Sequence, residues 1–327
     1  MRPGPVVAFE PSSRSPDPRI EVLDPSFLKY RLYSACVEQL ATGMWWAEGP
    51  VWFADGRYLL VSDIPSNRIM RWDEAAGRWG VYRENSNHAN GHARDERGRL
   101  ISCEHLTRRI TRTEINGQIT VLADRYQGKR LNSPNDIVCQ MRGPDRGSIW
   151  FTDPPFGISG HWEGELASPE LPNAVYRISP QGELQQVISD LRGPNGLAFS
   201  PDESLLYVIE SRAVPSRLIW SYRVGPGGQL SDRQLVVDAQ GAGALDGMAV
   251  DAEGNLWCGL GSDGRAGADS EGLDGVRVFN PHGQAIGHIH LPERCANLCF
   301  GGERGNTLYM ASTHSLYALH LHVQAGI

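Results

Sequence analysis

One short phrase recurs six times along the chain. A polar residue, often followed by glycine, opens an apolar stretch, then a Gly/Asp turn and a strongly β-type run. The copies begin at Glu48-Gly-Pro-Val-Trp-Phe, Asn90-Gly-His-Ala, Asn135-Asp-Ile-Val, Asn195-Gly-Leu-Ala-Phe, Asp246-Gly-Met-Ala-Val and Asn297-Leu-Cys-Phe, at steps of 42, 45, 60, 51 and 51 residues. A period of this length constrains a fold more than composition does, because each unit must bury its apolar face on its neighbours.

The copies continue alike. Turns such as Ala54-Asp55-Gly56, Asp95 to Gly98 and Asp251 to Gly254 lead into second strands at Tyr58–Ser62, Leu100–Cys103, Ser148–Thr152, Leu205–Ile209, Leu256–Gly259 and Thr307–Ala311. Asp/Gly clusters between β-rich runs signal hairpins. Third strands follow at Ile69–Trp72, Ile110–Thr113, Val175–Ile178 and Val276–Phe279, and fourth strands at Ile119–Leu122, Leu184–Ile188, Gln234–Val237 and Ala285–Ile289. Six units of four antiparallel strands predict an all-β, six-bladed β-propeller. The last copy lacks a fourth strand, and Cys36–Ala41 carries the missing pattern, so it is expected to complete the last blade and close the ring against an open edge. Residues 1–34 then form an N-terminal extension, and residues 35–327 a single domain.

Composition narrows the partners. Lys plus Arg number 31 against 38 Asp plus Glu, a net charge of −7, with no basic run. That balance lacks the electrostatic footprint of a nucleic-acid binder. No apolar stretch reaches 18 residues, so no membrane-spanning helix is expected. The Pro/Ser-rich start lacks the apolar core of a secretory signal, which points to the cytoplasm. The six cysteines form no CxxC pair and read as scattered thiols, most of them buried. Oligomeric state leaves no mark in the sequence.

In a propeller the first strand of each blade lines the central channel. The repeated polar slot therefore projects Glu48, Asn90, Asn135, Asn195, Asp246 and Asn297 from one face toward the axis. All six carry oxygen. Hard oxygen donors suit Ca²⁺, Mg²⁺ or Mn²⁺, and two carboxylates balance a divalent charge that would otherwise be costly to bury. The links between second and third strands rim the same face and carry Asp63, Glu104 with His105, Asp153, Glu210 and Asp263. The long link from Asp153 to Asn173, with Phe156, His161 and Trp162, is expected to shape a binding site. There is no Gly-x-Ser-x-Gly elbow and no His-Glu-x-x-His helix.

Ala47-Glu48-Gly49-Pro50, Ser133-Pro134-Asn135-Asp136, Trp150-Phe151-Thr152-Asp153-Pro154, Pro194-Asn195-Gly196-Leu197 and Leu245-Asp246-Gly247-Met248 resemble the gluconolactonase / senescence marker protein (regucalcin) family in its own order. Cys103-Glu104-His105 followed by Arg108-Arg109 is most similar to the bacterial gluconolactonases. The resemblance implies one catalytic divalent cation, Ca²⁺ first, with Mg²⁺, Mn²⁺ or Zn²⁺ as alternatives. It implies that Glu48, Asn195 and Asp246 hold the ion, that Asn135 serves as ligand or substrate contact, and that Asp246 is the general base. Regucalcin-type members place a substrate-binding Arg two residues before the Asn matching Asn135. Here that position is Ser133, and Arg130 stands nearby as a candidate substrate contact, beside His105 and Asp153. The implied activity is hydrolysis of a sugar lactone such as D-glucono-1,5-lactone to the aldonate. A metal-dependent phosphotriesterase and a non-catalytic calcium-binding or interaction propeller are the rival readings.

Overall fold

The computed structural model describes residues 3–215, 217–240, 243–262 and 269–326. Six antiparallel blades, each built on four strands, follow one another in chain order. Blade 1 is Ala47–Phe53, Tyr58–Asp63, Arg68–Asp73 and Arg78–Glu84. Blade 2 is Ala89–Arg94, Leu100–Glu104, Arg109–Thr113 and Ile119–Ala123. Blade 3 is Ile137–Cys139, Ile149–Asp153, Ala174–Ile178 and Leu184–Ile188. Blade 4 is Pro194–Phe199, Leu205–Glu210, Leu218–Val224 and Leu230–Asp238. Blade 5 is Gly243–Val250, Leu256–Ser262, Gly275–Phe279 and Ala285–His290. Blade 6 joins Cys295–Gly301, Thr307–Ser312 and Ser315–His320 to Glu38–Thr42, which pairs with the third of these from the other end of the chain. The ring is thus closed as the sequence predicts, with the closing strand one or two residues later than its pattern suggested.

The first strand of each blade is buried along nearly its whole length, because it lies between its own sheet and its neighbours. The apolar core fills the wedges between blades. Trp150 and Trp257 are fully buried there, each edge-on to a phenylalanine of the next blade, Phe199 and Phe300. Four of the six cysteines are buried thiols, and Cys36 and Cys299 are half-buried.

The N-terminal extension adds something the repeat did not foretell. Ile20–Val22 pairs with the outer strand of blade 5 as a fifth strand. A short turn, Pro25–Lys29, capped by the Asp24 carboxylate, then drives the fully buried Phe27 onto Trp257 at 5.8 Å. Gly287 makes room for it, since a Cβ there would lie 2.7 Å from the Phe27 ring. Removing a buried phenylalanine costs about 3–5 kcal/mol. Phe27→Ala is therefore expected to lower the unfolding free energy by that much, read as a lower denaturant midpoint at an unchanged slope; a loss below 1 kcal/mol would mean that the extension merely rests on the ring.

Candidate active site

The repeated polar slot coincides with a break in strand register. In blade 1, Glu48 pairs with Ser62 but Val51 with Leu60, so one extra residue sits on the first strand. The same slip falls between Ala89 and His92, Pro194 and Leu197, Leu245 and Met248, and Cys295 and Asn297. Such a bulge re-aims a side chain. Here it turns an oxygen donor out of the pleat toward the axis. Blade 3 differs: its strand starts later, at Ile137, and Asn135 is held instead by its N–H donating to the Thr152 carbonyl at 2.8 Å.

The glycine after the donor lets neighbouring blades meet. A Cβ on Gly49 would stand 2.0 Å from the Asn90 carbonyl, and one on Gly91 2.4 Å from that of Asn135. Gly91→Ala must therefore push two blades apart. Overpacking of this kind costs about 1–3 kcal/mol and occasionally more, and thermal unfolding should register it as a fall of several degrees, with a larger loss of any activity seated on the channel.

The six donors are all between 4% and 6% exposed. Three asparagines and one aspartate form a head-to-tail chain. Asn90 Nδ2 donates to Asn135 Oδ1 at 2.8 Å, Asn135 Nδ2 to Asn195 Oδ1 at 2.7 Å, and Asn195 Nδ2 to Asp246 Oδ1 at 2.6 Å. Arg294 terminates the chain by donating to Asp246 Oδ2 at 2.5 Å. Glu48 accepts from the Gly49 N–H at 2.8 Å. Asn297 closes the ring from the other side, donating to Asp136 Oδ2 at 3.2 Å.

Three carboxylates consequently share one buried channel. Burial first, then the charges of Asp246 and Asp136, push Glu48 well above the usual carboxylate range. Burial, with a smaller contribution from Asp246, raises Asp136 to about 7. Above this floor lies a cavity of about 240 Å³, lined by Glu48, Asn135, Asn195 and Asp246 below and by Trp46 and Trp162 higher up. Trp162, half exposed at the lip, meets Trp46 edge-on at 5.7 Å. A larger groove of about 360 Å³ runs along the outer side of blade 5 beside Phe9, Arg19 and His290. Its charged groups, Glu10, Arg19, Glu271, Asp274 and His290, lie away from the ring of donors on the axis, so the channel cavity is the stronger candidate despite its size.

Of the rim residues, His105 lies directly behind the donor chain. It is fully buried, its Nε2 3.3 Å from Asn90 Nδ2 and its Nδ1 3.4 Å from Glu163 Oε2. Asp153 and Arg130 do not line the cavity. Asp153 accepts from the Asn132 N–H at 2.8 Å and is raised to about 7 by burial. Arg130 donates to the Thr107 carbonyl at 3.2 Å. Asp63, Glu104 and Glu210 are likewise occupied in holding loops, through Arg68, Arg109 and Trp220. Asp263 falls outside the described residues. Asp136 and Arg294, both at the floor, were not singled out from the sequence.

A Ser–His contact also flanks the channel, but its protons run the wrong way for a nucleophile. Ser62 Oγ donates to the Asn90 carbonyl at 2.7 Å and lies 2.8 Å from His92 Nε2. With its proton on the carbonyl, Ser62 accepts from His92 and cannot be deprotonated by it. Burial lowers His92 to about 3 and keeps the ring neutral.

Known proteins resemble this chain over most of its length. The model of the SMP-30/gluconolactonase/LRE-like region matches residues 46–314. A gluconolactonase of Zymomonas mobilis is 34% identical over 307 residues, spanning 86% of this chain and 80% of that one. A 6-deoxy-6-sulfogluconolactonase of Pseudomonas putida is 28% identical over 274 residues, spanning 81% of this chain and 82% of its own. Among solved structures, a gluconolactonase from Xanthomonas campestris superposes with a TM-score of 0.82 at 36% identity, covering 98% of this chain and all of that one, 100%.

Proposed function

Because this chain belongs to the SMP-30/gluconolactonase/LRE-like family, we propose that it hydrolyses a sugar lactone, D-glucono-1,5-lactone in the simplest case, to the aldonic acid with the help of one divalent cation. The observation that carries this reading is the chain Asn90–Asn135–Asn195–Asp246, ended by Arg294, on the floor of a cavity sized for one sugar ring.

The donor set fits a hard cation. Carboxylate and amide oxygens are its preferred ligands, and Glu48, Asp136 and Asp246 crowd into low-dielectric space with one guanidinium among them. Glu48, Asn135, Asn195 and Asp246 would hold the ion, Ca²⁺ first. When bound, it polarises the lactone carbonyl and stabilises charge building on that oxygen.

The chain's own groups do the rest. Asp246 takes a proton from water as the water oxygen bonds to the lactone carbonyl carbon. Asn195 and Arg294 hold its two oxygens by charge-assisted hydrogen bonds, so the base is aimed before substrate arrives. When the ring C–O bond breaks, the departing ring oxygen recovers that proton from Asp246. One water is consumed, one ring is opened, and no covalent enzyme intermediate is needed. The Trp46/Trp162 wall offers apolar faces to the sugar's C–H edges and keeps bulk water out. His105 fixes the far end of the asparagine chain through Asn90.

The decisive assay follows D-glucono-1,5-lactone opening by proton release, with added Ca²⁺, against the spontaneous rate, and runs a phosphotriester in parallel. Acceleration of the lactone by several orders of magnitude is expected. A rate equal to the uncatalysed one, or turnover of the phosphotriester alone, rejects the reading.

A further inference from the structure

The cavity is lined by charges of both signs. Carboxylates occupy the floor and the blade 3 side, where Glu163 is held by His105. Three guanidiniums line the same cavity: Arg212 and Arg217 from the link after the second strand of blade 4, and Arg294 from the link into blade 6. They are not equivalent. Arg294 is committed to Asp246. Arg217 is buried and donates to the Ala213 carbonyl at 2.7 Å. Arg212 is exposed at the mouth, its guanidinium 5.3 Å over the Phe156 ring, and among the described residues no carboxylate pairs with it. An arginine fork that lines the cavity without a carboxylate partner suits a tetrahedral oxyanion.

A lactone whose carbonyl reaches the buried floor must point its far substituent at this mouth. We propose that the natural substrate carries an anionic group, a phosphate or sulfonate, on the sugar carbon remote from the lactone carbonyl, and that Arg212 is the residue that selects it. A neutral sugar would leave Arg212, the cavity guanidinium that among the described residues neither a carboxylate nor a carbonyl holds, without a function. This inference rests on the lactonase reading for its substrate but not for its test.

The full-length protein with Ca²⁺ is assayed on D-glucono-1,5-lactone, its 6-phosphate and its 6-deoxy-6-sulfonate, as wild type, R212Q and R212K. The wild type is expected to favour a charged lactone at least tenfold in kcat/KM, chiefly through KM, and the advantage to shrink as salt rises. R212Q should cut the charged-to-neutral ratio at least tenfold, and R212K should restore part of it. The phosphate and sulfonate arms decide which oxyanion is preferred. Calorimetry with 6-phosphogluconate against gluconate reads the same preference without turnover. A binding preference that disappears in R212Q while no lactone is hydrolysed would keep this inference and reject the lactonase reading. A wild-type ratio near one, or a ratio that R212Q leaves unchanged because both substrates suffer alike, overturns the inference.

Discussion

Asp246→Asn is expected to lower kcat/KM for the lactone by about 10³-fold, within the 10²–10⁴ range of a general base, while the protein melts within a few degrees of the wild type. The substitution is isosteric. An amide oxygen still accepts from Asn195, so the asparagine chain keeps its order. The amide nitrogen, however, cannot take a proton from water. Two stability effects oppose each other. Arg294 loses its anion, but its side chain is about a quarter exposed, 26%, so it can turn to solvent at little cost. Meanwhile Glu48 and Asp136 lose a repelling neighbour in the channel. Near-cancellation is the expected sum. Circular dichroism and a melting curve establish the fold, and proton-release kinetics the activity. Turnover within tenfold of wild type would remove Asp246 from the chemistry.

Much of this was legible in the sequence because the repeat is a physical necessity, not a statistical one. Every blade needs a first strand at the axis, and the polar-Gly pair marks where that strand bulges and where the next blade presses close. Glu48, Asn195 and Asp246 share one structural slot in distant segments, so the order of the phrases alone predicted their meeting. What escaped lies off the repeat. Asp136 follows the residue that fills the slot in blade 3, where four other blades carry glycine, and it accepts from Asn297. Arg294 sits in an aperiodic link, where nothing local says that it reaches Asp246. Asp153, Glu104 and Glu210 show the converse: the sequence places a carboxylate at the rim, but whether it faces the cavity or ties down a loop depends on donors from neighbouring segments, such as Asn132 and Trp220, that the folded geometry brings to it. Ile20–Val22 is too short to carry a strand pattern and is defined by its partner in blade 5.

The second large effect is a pH-dependent gain of stability from the divalent ion, readable without any substrate. Chelated protein is expected to be inactive, and at pH 8 millimolar Ca²⁺ should raise its melting temperature by several degrees; an ion at 100 times its Kd contributes about 2.7 kcal/mol. The sign with pH follows from the channel carboxyls. Asp136 is raised from its ordinary 3.8 to about 7, and Glu48 is raised in the same direction, chiefly by burial. Between about pH 4 and 7 the folded chain therefore holds protons that the unfolded chain has released. Stability of the metal-free protein is lost as pH rises through that window. A cation must displace those protons, so its affinity grows over the same range, and the gap between melting curves with and without Ca²⁺ should be small at pH 5 and wide at pH 8. Glu48→Gln separates the two contributions. It removes a buried charge, so the metal-free variant should melt higher than wild type at pH 8, yet it should gain little from Ca²⁺ and lose most lactone turnover. Coincident melting curves for wild type with and without Ca²⁺ at pH 8, or a gain that Glu48→Gln leaves intact, would show that the channel oxygens do not hold the ion.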